Sequence, residues 1–515
     1  MAFVRSSKYR HIYGAPFKTD QCFTNIRVSR NNWDGNFCAV NPKFVAVVTE
    51  ASGGGSFMVL KHEETGRVDL NHAQVCGHKN VVLDRDWNAF NDNIIASASE
   101  DQSIKIWMIP DEGIQEEPLI DPIVDLQYHQ ACGAGEMASD RISNILFSVG
   151  ADPCILIWNA EEGVVVTEIT CHPELIFYAT WNYNGSLIAT TCKDKKIRII
   201  DPRTGEVKKE GPGHDGAKVS RVQFLKNNKL FTTGFSRMSE RQYGVFDATS
   251  LSNLAMETID NNNAPLTICY DPDINLVYLI GKGDTLIRYY EVSDASPYAY
   301  WLNNYQSTVP QRCCGMMPKR ALNVNNCEVA RIYKIIQKGT CEPIAMIVPR
   351  KSDLFQEDIY PDTQGDEPSL SASEWVEGKN KDPILISLKD GYVSTRQKSE
   401  VRAGGLKAQA QPNKLAALSK KPSAAAVTSA PAATKASTPA ANASATNGST
   451  TTTNQPAKEE VPPPKAEVKP AEVKPSKPEP ITAKPKVEHS VEDNGVDILK
   501  DGRTCRVPSR SMRHE

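Results

Sequence analysis

The chain has 515 residues, with 59 Lys and Arg against 62 Asp and Glu, a net charge of −3 and 40% hydrophobic residues. That balance excludes the overall basic field of a nucleic-acid-binding protein, and no stretch approaches the run of about 18 apolar residues that a membrane span needs. Thirteen cysteines, an odd number without a Cys-x-x-Cys pair, fit reduced thiols and exclude an evident disulfide framework or zinc site.

Residues 1–13 are basic and lack an apolar core, so no cleavable leader is expected and the protein reads as soluble and cytosolic. The charge is unevenly spread. Arg5, Lys8, Arg10, Lys18, Arg27, Arg30 and Lys43 outweigh Asp20, Asp34 and Glu50 in residues 1–50, and acidic residues dominate residues 353–382. Two strand-like runs, residues 44–48 and 56–60, flank a glycine-rich loop. No Lys-Ser/Thr and no helical pattern follow those glycines, so a hairpin turn is predicted instead of a phosphate loop.

The stretch from residue 75 to 108, VCGHKNVVLDRDWNAFNDNIIASASEDQSIKIWM, is the richest in the chain. It opens on Gly77-His78, has a polar turn at residues 91–93, places Asp101 after a small-residue run and closes on Ile106-Trp107. Short alternating runs between these markers predict antiparallel strands. A Gly-His opening and an aromatic close at this spacing is the mark of a WD40 β-propeller repeat. His78, Ser97 or Ser99, Asp101 and Trp107 are expected to form a buried polar chain that pins the turns of one blade, because buried polar networks specify packing.

The repeat recurs with loss of its markers. Asp152 and Trp158 belong to the next copy, Asp194 to one ending at residue 200, and His214 opens one ending at residue 246; a weaker copy ends at residue 290. The closing positions 107, 158, 200, 246 and 290 are spaced by 51, 42, 46 and 44 residues, close to the propeller period of about 40–45. Residues 133–140 account for the long interval. With an unmarked N-terminal blade and a last blade within residues 302–350, the count is seven. The predicted fold is all-β, a seven-bladed WD40 propeller over residues 1–350, with the strand at residues 7–13 closing the last blade against an exposed edge. Residues 351–398, with Phe355, Tyr360 and Trp375 as anchors, are expected to pack on the propeller. Residues 399–486, rich in Ala, Pro, Ser, Thr and Lys, read as a disordered linker, and residues 487–515 as a short tail.

No catalytic set is found. There is no Gly-x-Ser-x-Gly, and His62-Glu63-Glu64-Thr65-Gly66 fails His-Glu-x-x-His at its last position. No metal site and no cofactor are expected, and the protein reads as a non-enzyme.

Residues 5–14 (RSSKYRHIYG), 25–30 (NIRVSR), 37–42 (FCAVNP), 50–55 (EASGGG) and 355–362 (FQEDIYPD) together resemble the coronins, actin-associated WD40 proteins. The resemblance covers nearly all of residues 1–395. It implies a seven-bladed propeller that binds filamentous actin and regulates filament organisation, branching, turnover and cell migration as a cytoplasmic adaptor at the actin cytoskeleton and cell cortex. It also implies the actin-related nucleating complex and the cofilin pathway as partners, and Arg30, with Arg27 in the same motif, as an actin contact. The basic N-terminal fifty residues agree, since complementary charge orients docking on an acidic filament. A generic WD40 scaffold for trafficking or ligase complexes would share the fold but not these motifs. One departure stands out. Short-type coronins end in a heptad coiled coil, whereas here Asn494-Gly495, Gly502 and Pro508 interrupt the end of the chain and no heptad spans two repeats. Oligomerisation therefore lacks its usual element, and a monomeric or weakly associating form is expected.

Overall fold

Seven mainly antiparallel sheets pack against one another as blades, and a two-stranded ladder, Thr363–Gln364 with Leu385–Ile386, lies outside them. The computed structural model describes residues 6–30, 35–50, 55–127, 144–352 and 354–395. The expected opening of the third repeat at residues 128–129, the insert at 133–140, the linker and the tail lie outside the described residues.

Blade 1 comprises Cys38–Val40, Phe44–Val48, Gly55–Lys61 and Val75–His78. Blade 2 comprises Val82–Trp87, Ile94–Ser99, Ser103–Met108 and Val124–Gln127. Blade 3 has three described strands, from Ile145–Val149 to Val164–Ile169, and blades 4, 5 and 6 have four each, starting at Ile176–Trp181, Arg221–Phe224 and Leu266–Asp271. The periodicity thus predicts the seven-bladed architecture correctly. The strands next to the innermost one are apolar on both faces, as in Phe44–Val48 and Leu276–Gly281, which are buried throughout. Being sandwiched between neighbouring blades removes the usual in-out alternation.

Blade 7 joins the two ends of the described chain. Gln311–Met316, Glu328–Ile336 and Thr340–Ile347 come from its C-terminal side, and Tyr13–Pro16 pairs antiparallel with Ile344–Ile347. The predicted closing strand at residues 7–13 is displaced: residues 8–11 form a turn, with the Ile12 N–H donating to Tyr9 O at 3.1 Å. Tyr9 and Ile12 are buried, and their spacing of three suits that turn and not a strand of period two.

The repeat at residues 75–108 also straddles two blades. Val75–His78 is the outer strand of blade 1, whereas Ser97, Asp101 and Trp107 belong to blade 2. The polar chain therefore ties neighbouring blades together, not the turns of one blade. Trp107 Nε1 donates to Ser97 Oγ at 2.9 Å, Ser97 Oγ lies 2.7 Å from His78 Nε2, and His78 Nδ1 lies 3.0 Å from Asp101 Oδ2. A single tautomer satisfies the chain, with the proton on Nδ1 facing the carboxylate. Asp101 also accepts from the Lys79 N–H and from Ser103; burial raises its carboxyl, but the bonds from His78, Ser103 and the Lys79 N–H outweigh that and hold it below the usual range.

Later junctions reuse parts of this device. Trp158 Nε1 donates to Ser148 Oγ at 2.9 Å, His172 Nε2 lies 2.8 Å from Thr190 Oγ1, and His214 Nε2 lies 2.9 Å from Thr232 Oγ1. Asp152 occupies the corresponding turn of blade 3. Asp194 pairs with Arg198 at 2.5 Å. Between blades 5 and 6 the histidine is gone, and Arg241 and Arg288 bridge Asp260 and Asp284 at 2.6–3.4 Å.

Residues 351–395 cross the face that carries the turns at Asp92, Gly185, Arg203, Asp273 and Arg320. Tyr360 donates to Glu328 O at 2.8 Å and stacks on Phe355. A one-turn helix, Ala372–Val376, starts with a Ser371/Glu374 capping box and buries Trp375 completely. Trp375 Nε1 donates to Gly185 O at 2.8 Å, its ring meets Trp181 edge-on, and Arg203 stacks over it while donating to Trp375 O. Near the far end the Arg320 guanidinium lies 5.7 Å from the Tyr392 ring centre, while Thr395 and Ser394 donate to Asp366 within the segment itself. The segment is a strap anchored at both ends.

Trp375→Ala removes the central anchor of the strap, at a cost of about 3–5 kcal/mol for a buried tryptophan. Limited proteolysis is expected to cut within residues 361–395 in the variant well before it cuts the propeller, and equal resistance to that of the parent would contradict the anchoring. A second expectation concerns acid. Burial pushes His62, His172 and His214 down to about 4. The unfolded chain takes up these protons first as pH falls below about 6.5, so their stabilisation is complete above that pH and declines towards pH 4. Each site is expected to lose about 2 kcal/mol between pH 7 and 5, and His214→Gln should flatten its share of the decline in urea denaturation at the two pH values.

Candidate functional site: the basic edge at the closure of the ring

Residues 25–30 run across the junction between blade 7 and blade 1. Asn25 adopts a left-handed φ of 70° and donates through Nδ2 to Val68 O at 2.9 Å. The Ile26 N–H donates to Gly339 O at 2.9 Å, in the turn between the last two strands of blade 7. On the other side Ser29 N–H donates to Val48 O at 3.1 Å, Glu50 N–H donates to Arg27 O at 2.9 Å, and Val28 bridges Thr49. The segment is thus bonded to both blades through its backbone.

The side chains sort accordingly. Ile26, Val28 and Ser29 are buried, while Arg27 and Arg30 are exposed. Arg30 Nε lies 3.5 Å from Glu50 Oε2, but the Arg30 side chain is 84% exposed. Such a pair contributes little and leaves the guanidinium available. Lys338 and Lys79 are exposed on the same face, at turns beside Gly339 and His78. Geometry here offers a backbone bonded on both sides that presents exposed cations.

Gly339 explains why the segment lies so close. Its φ is +80°, and a Cβ placed on it would sit 2.1 Å from Ile26 O. Sequence reading missed this residue because a glycine in a turn carries no mark of the segment, more than 300 residues away, that packs on it. It also missed the Arg241–Asp260–Asp284–Arg288 cluster, since the pairing spans two blades. His62, the near-match to a zinc motif, bonds Asn41 O at 2.7 Å and Tyr333 Oη at 2.9 Å. Among the described residues no group of three His, Cys, Asp or Glu is placed to hold a metal, all eleven described cysteines are free, and no helix is long and apolar enough to cross a membrane.

Family models match residues 71–108 and 163–201 as a WD domain, G-beta repeat, and residues 341–383 as a type of WD40 repeat. Residues 2–67 match a domain of unknown function, DUF1899. With seven blades and this junction chemistry, the molecule is a WD40-repeat propeller protein. The crystal structure of the WD40 domain from Toxoplasma gondii coronin superposes with a TM-score of 0.70 at 29% identity, covering 74% of this chain and 98% of that one. Over its propeller the chain is similar to that coronin domain. A chain from the crystal structure of the Mitotic Checkpoint Complex matches at 12% identity and a TM-score of 0.49, covering 68% of this chain and 99% of that one.

Gly339→Ala is expected to cost about 1–3 kcal/mol from backbone strain and to add the clash with Ile26 O. Gly283→Ala, at φ +81° with nothing within 4 Å of its added Cβ, provides the comparison. Urea denaturation of both should show the larger loss at 339; equal losses would mean that the close approach to Ile26 is not holding the segment.

Proposed function

We propose that the chain binds filamentous actin through the face that carries Arg27 and Arg30, and regulates filament organisation, branching and turnover as a non-enzymatic adaptor. The observation that carries this reading is the division of one six-residue segment. Its apolar members are buried and its backbone is bonded on both sides, while its two arginines are exposed. Rigid presentation lowers the entropy lost when a charged contact forms, and cations on that face complement an acidic filament surface. The likeness to a coronin WD40 domain supports the same assignment. The actin-related nucleating complex and the cofilin pathway are proposed as further partners, with the cytoplasm, the actin cytoskeleton and the cell cortex as the place of action and cell migration as a process served.

Cosedimentation with actin filaments tests the reading. Arg30→Asp replaces an exposed cation and leaves the bonded backbone intact, so the expected result is at least about tenfold weaker binding, equivalent to about 1.4 kcal/mol, with unchanged thermal stability. Moderate salt should weaken the parent more than the variant, because an exposed contact is screened. Equal binding by both proteins would remove Arg30 from the interface, and no binding by either would remove the function.

A further inference from the structure

Glu50 is fixed through its backbone as firmly as the arginines it faces. Thr49, 4% exposed, bridges Val28 in an antiparallel register, so Glu50 lies directly opposite Arg27, and its N–H donates to Arg27 O at 2.9 Å. Thr49 is itself held from behind, its Oγ1 lying 2.9 Å from Ser56 Oγ and 2.7 Å from Gln74 Oε1. Alternation along the two paired segments turns Val28 and Thr49 inward and Arg27 and Glu50 outward. From there the Glu50 carboxylate reaches Arg30, with Oε2 3.5 Å from Nε, while its own side chain stays 51% exposed.

The charge count here differs from that of the buried cluster between blades 5 and 6. There two arginines, Arg241 and Arg288, meet two carboxylates, Asp260 and Asp284. On the open face, where Arg27 and Arg30 lie, two arginines share one carboxylate, and among the described residues neither makes a further ion pair. The group of three is therefore short of a carboxylate, and the one it has sits on the guanidinium proposed to meet the filament. An exposed pair of this kind forms and breaks readily, since its net gain over hydration is small. An incoming carboxylate that takes Arg30 takes the place of Glu50.

We infer that Glu50 is a resident counter-ion of the docking site, a carboxylate that an acidic side chain of the partner displaces from Arg30, so that the free protein holds part of its binding surface closed. The inference rests on the reading of Arg30 as a filament contact. A surface of which only a fraction is competent binds with its affinity reduced by that fraction, and a pair with the small net gain of an exposed ion pair reduces it about two- to fivefold. Displacement also fixes the chemistry of the partner group. It is an anion able to replace a carboxylate on a guanidinium, as an aspartate or glutamate side chain does and a neutral polar group does not. Because the backbone is bonded at Thr49 and Glu50, the exchange moves only side chains.

A double-mutant cycle of Glu50→Gln and Arg30→Gln in the full chain tests the exchange, read by cosedimentation with actin filaments and by isothermal titration with poly-L-glutamate as an actin-free carboxylate probe. Glu50→Gln keeps the N–H that donates to Arg27 O, so it is expected to fold with a nearly unchanged melting temperature and to bind both probes about two- to fivefold more tightly than the parent. In the Arg30→Gln background the same change is expected to give less than about half that gain, because no guanidinium is left to release. The comparison separates displacement from the general effect of removing a negative charge. An equal gain in both backgrounds, or no gain from Glu50→Gln with either probe, would overturn the inference. Absence of filament binding by every form, with the expected cycle on poly-L-glutamate, would overturn the filament reading and support the exchange.

Discussion

The antiparallel pairing of Tyr13–Pro16 with Ile344–Ile347 makes a ring out of what would otherwise be a row of sheets. A propeller left open would expose the edge of its last blade, and unpaired strand edges are templates for aggregation. Here the edge is covered by the same polypeptide, and Phe23 continues the cover by pairing with Cys341. Everything described on the open face depends on that pairing. Residues 25–30 follow directly from the closing strand, so the bonds that shut the ring also place Arg27 and Arg30.

Junctions between blades show how one structural task can be met by different chemistry. Where a histidine is present, at the end of the outer strand of one blade or just past it, it bonds to a Ser or Thr of the next, as with Ser97, Thr190 and Thr232. Between blades 5 and 6 two arginines and two aspartates take over. Such a lattice gains little net stability over apolar packing but leaves few alternative registers, because each buried charge needs its partner. The loss of WD40 markers along the chain is therefore a change of junction chemistry within an unchanged architecture.

Much of this was readable in the sequence, for definite reasons. His78, Asp101 and Trp107 carry unusual polar groups at turn spacing, and the closing positions repeat, so blade number and sheet type follow. What failed was the assignment of the repeat to one blade, because nothing in a linear string says that Val75–His78 pairs backwards with Gly55–Lys61. The closing strand was misplaced by several residues because Gly14, Ala15 and Pro16 look like a turn. An outer strand tolerates proline, and Gly14 is needed where a Cβ would lie 2.5 Å from the Tyr305 ring. Arg30 was visible through a charge excess and a family likeness; its presentation by Gly339 was not.

The closing strand also sets an order of events during synthesis. Tyr13–Pro16 leaves the ribosome early, yet its partner, Thr340–Ile347, is made more than 300 residues later. At translation rates of about 5–20 residues per second the wait is on the order of tens of seconds. Throughout it, the N-terminal strand has no sheet to join and the growing stack of blades has an uncovered end. The nascent chain is thus most vulnerable to edge-to-edge association with neighbouring nascent chains just before blade 7 is complete, and the topology sets how many residues must be made in that interval.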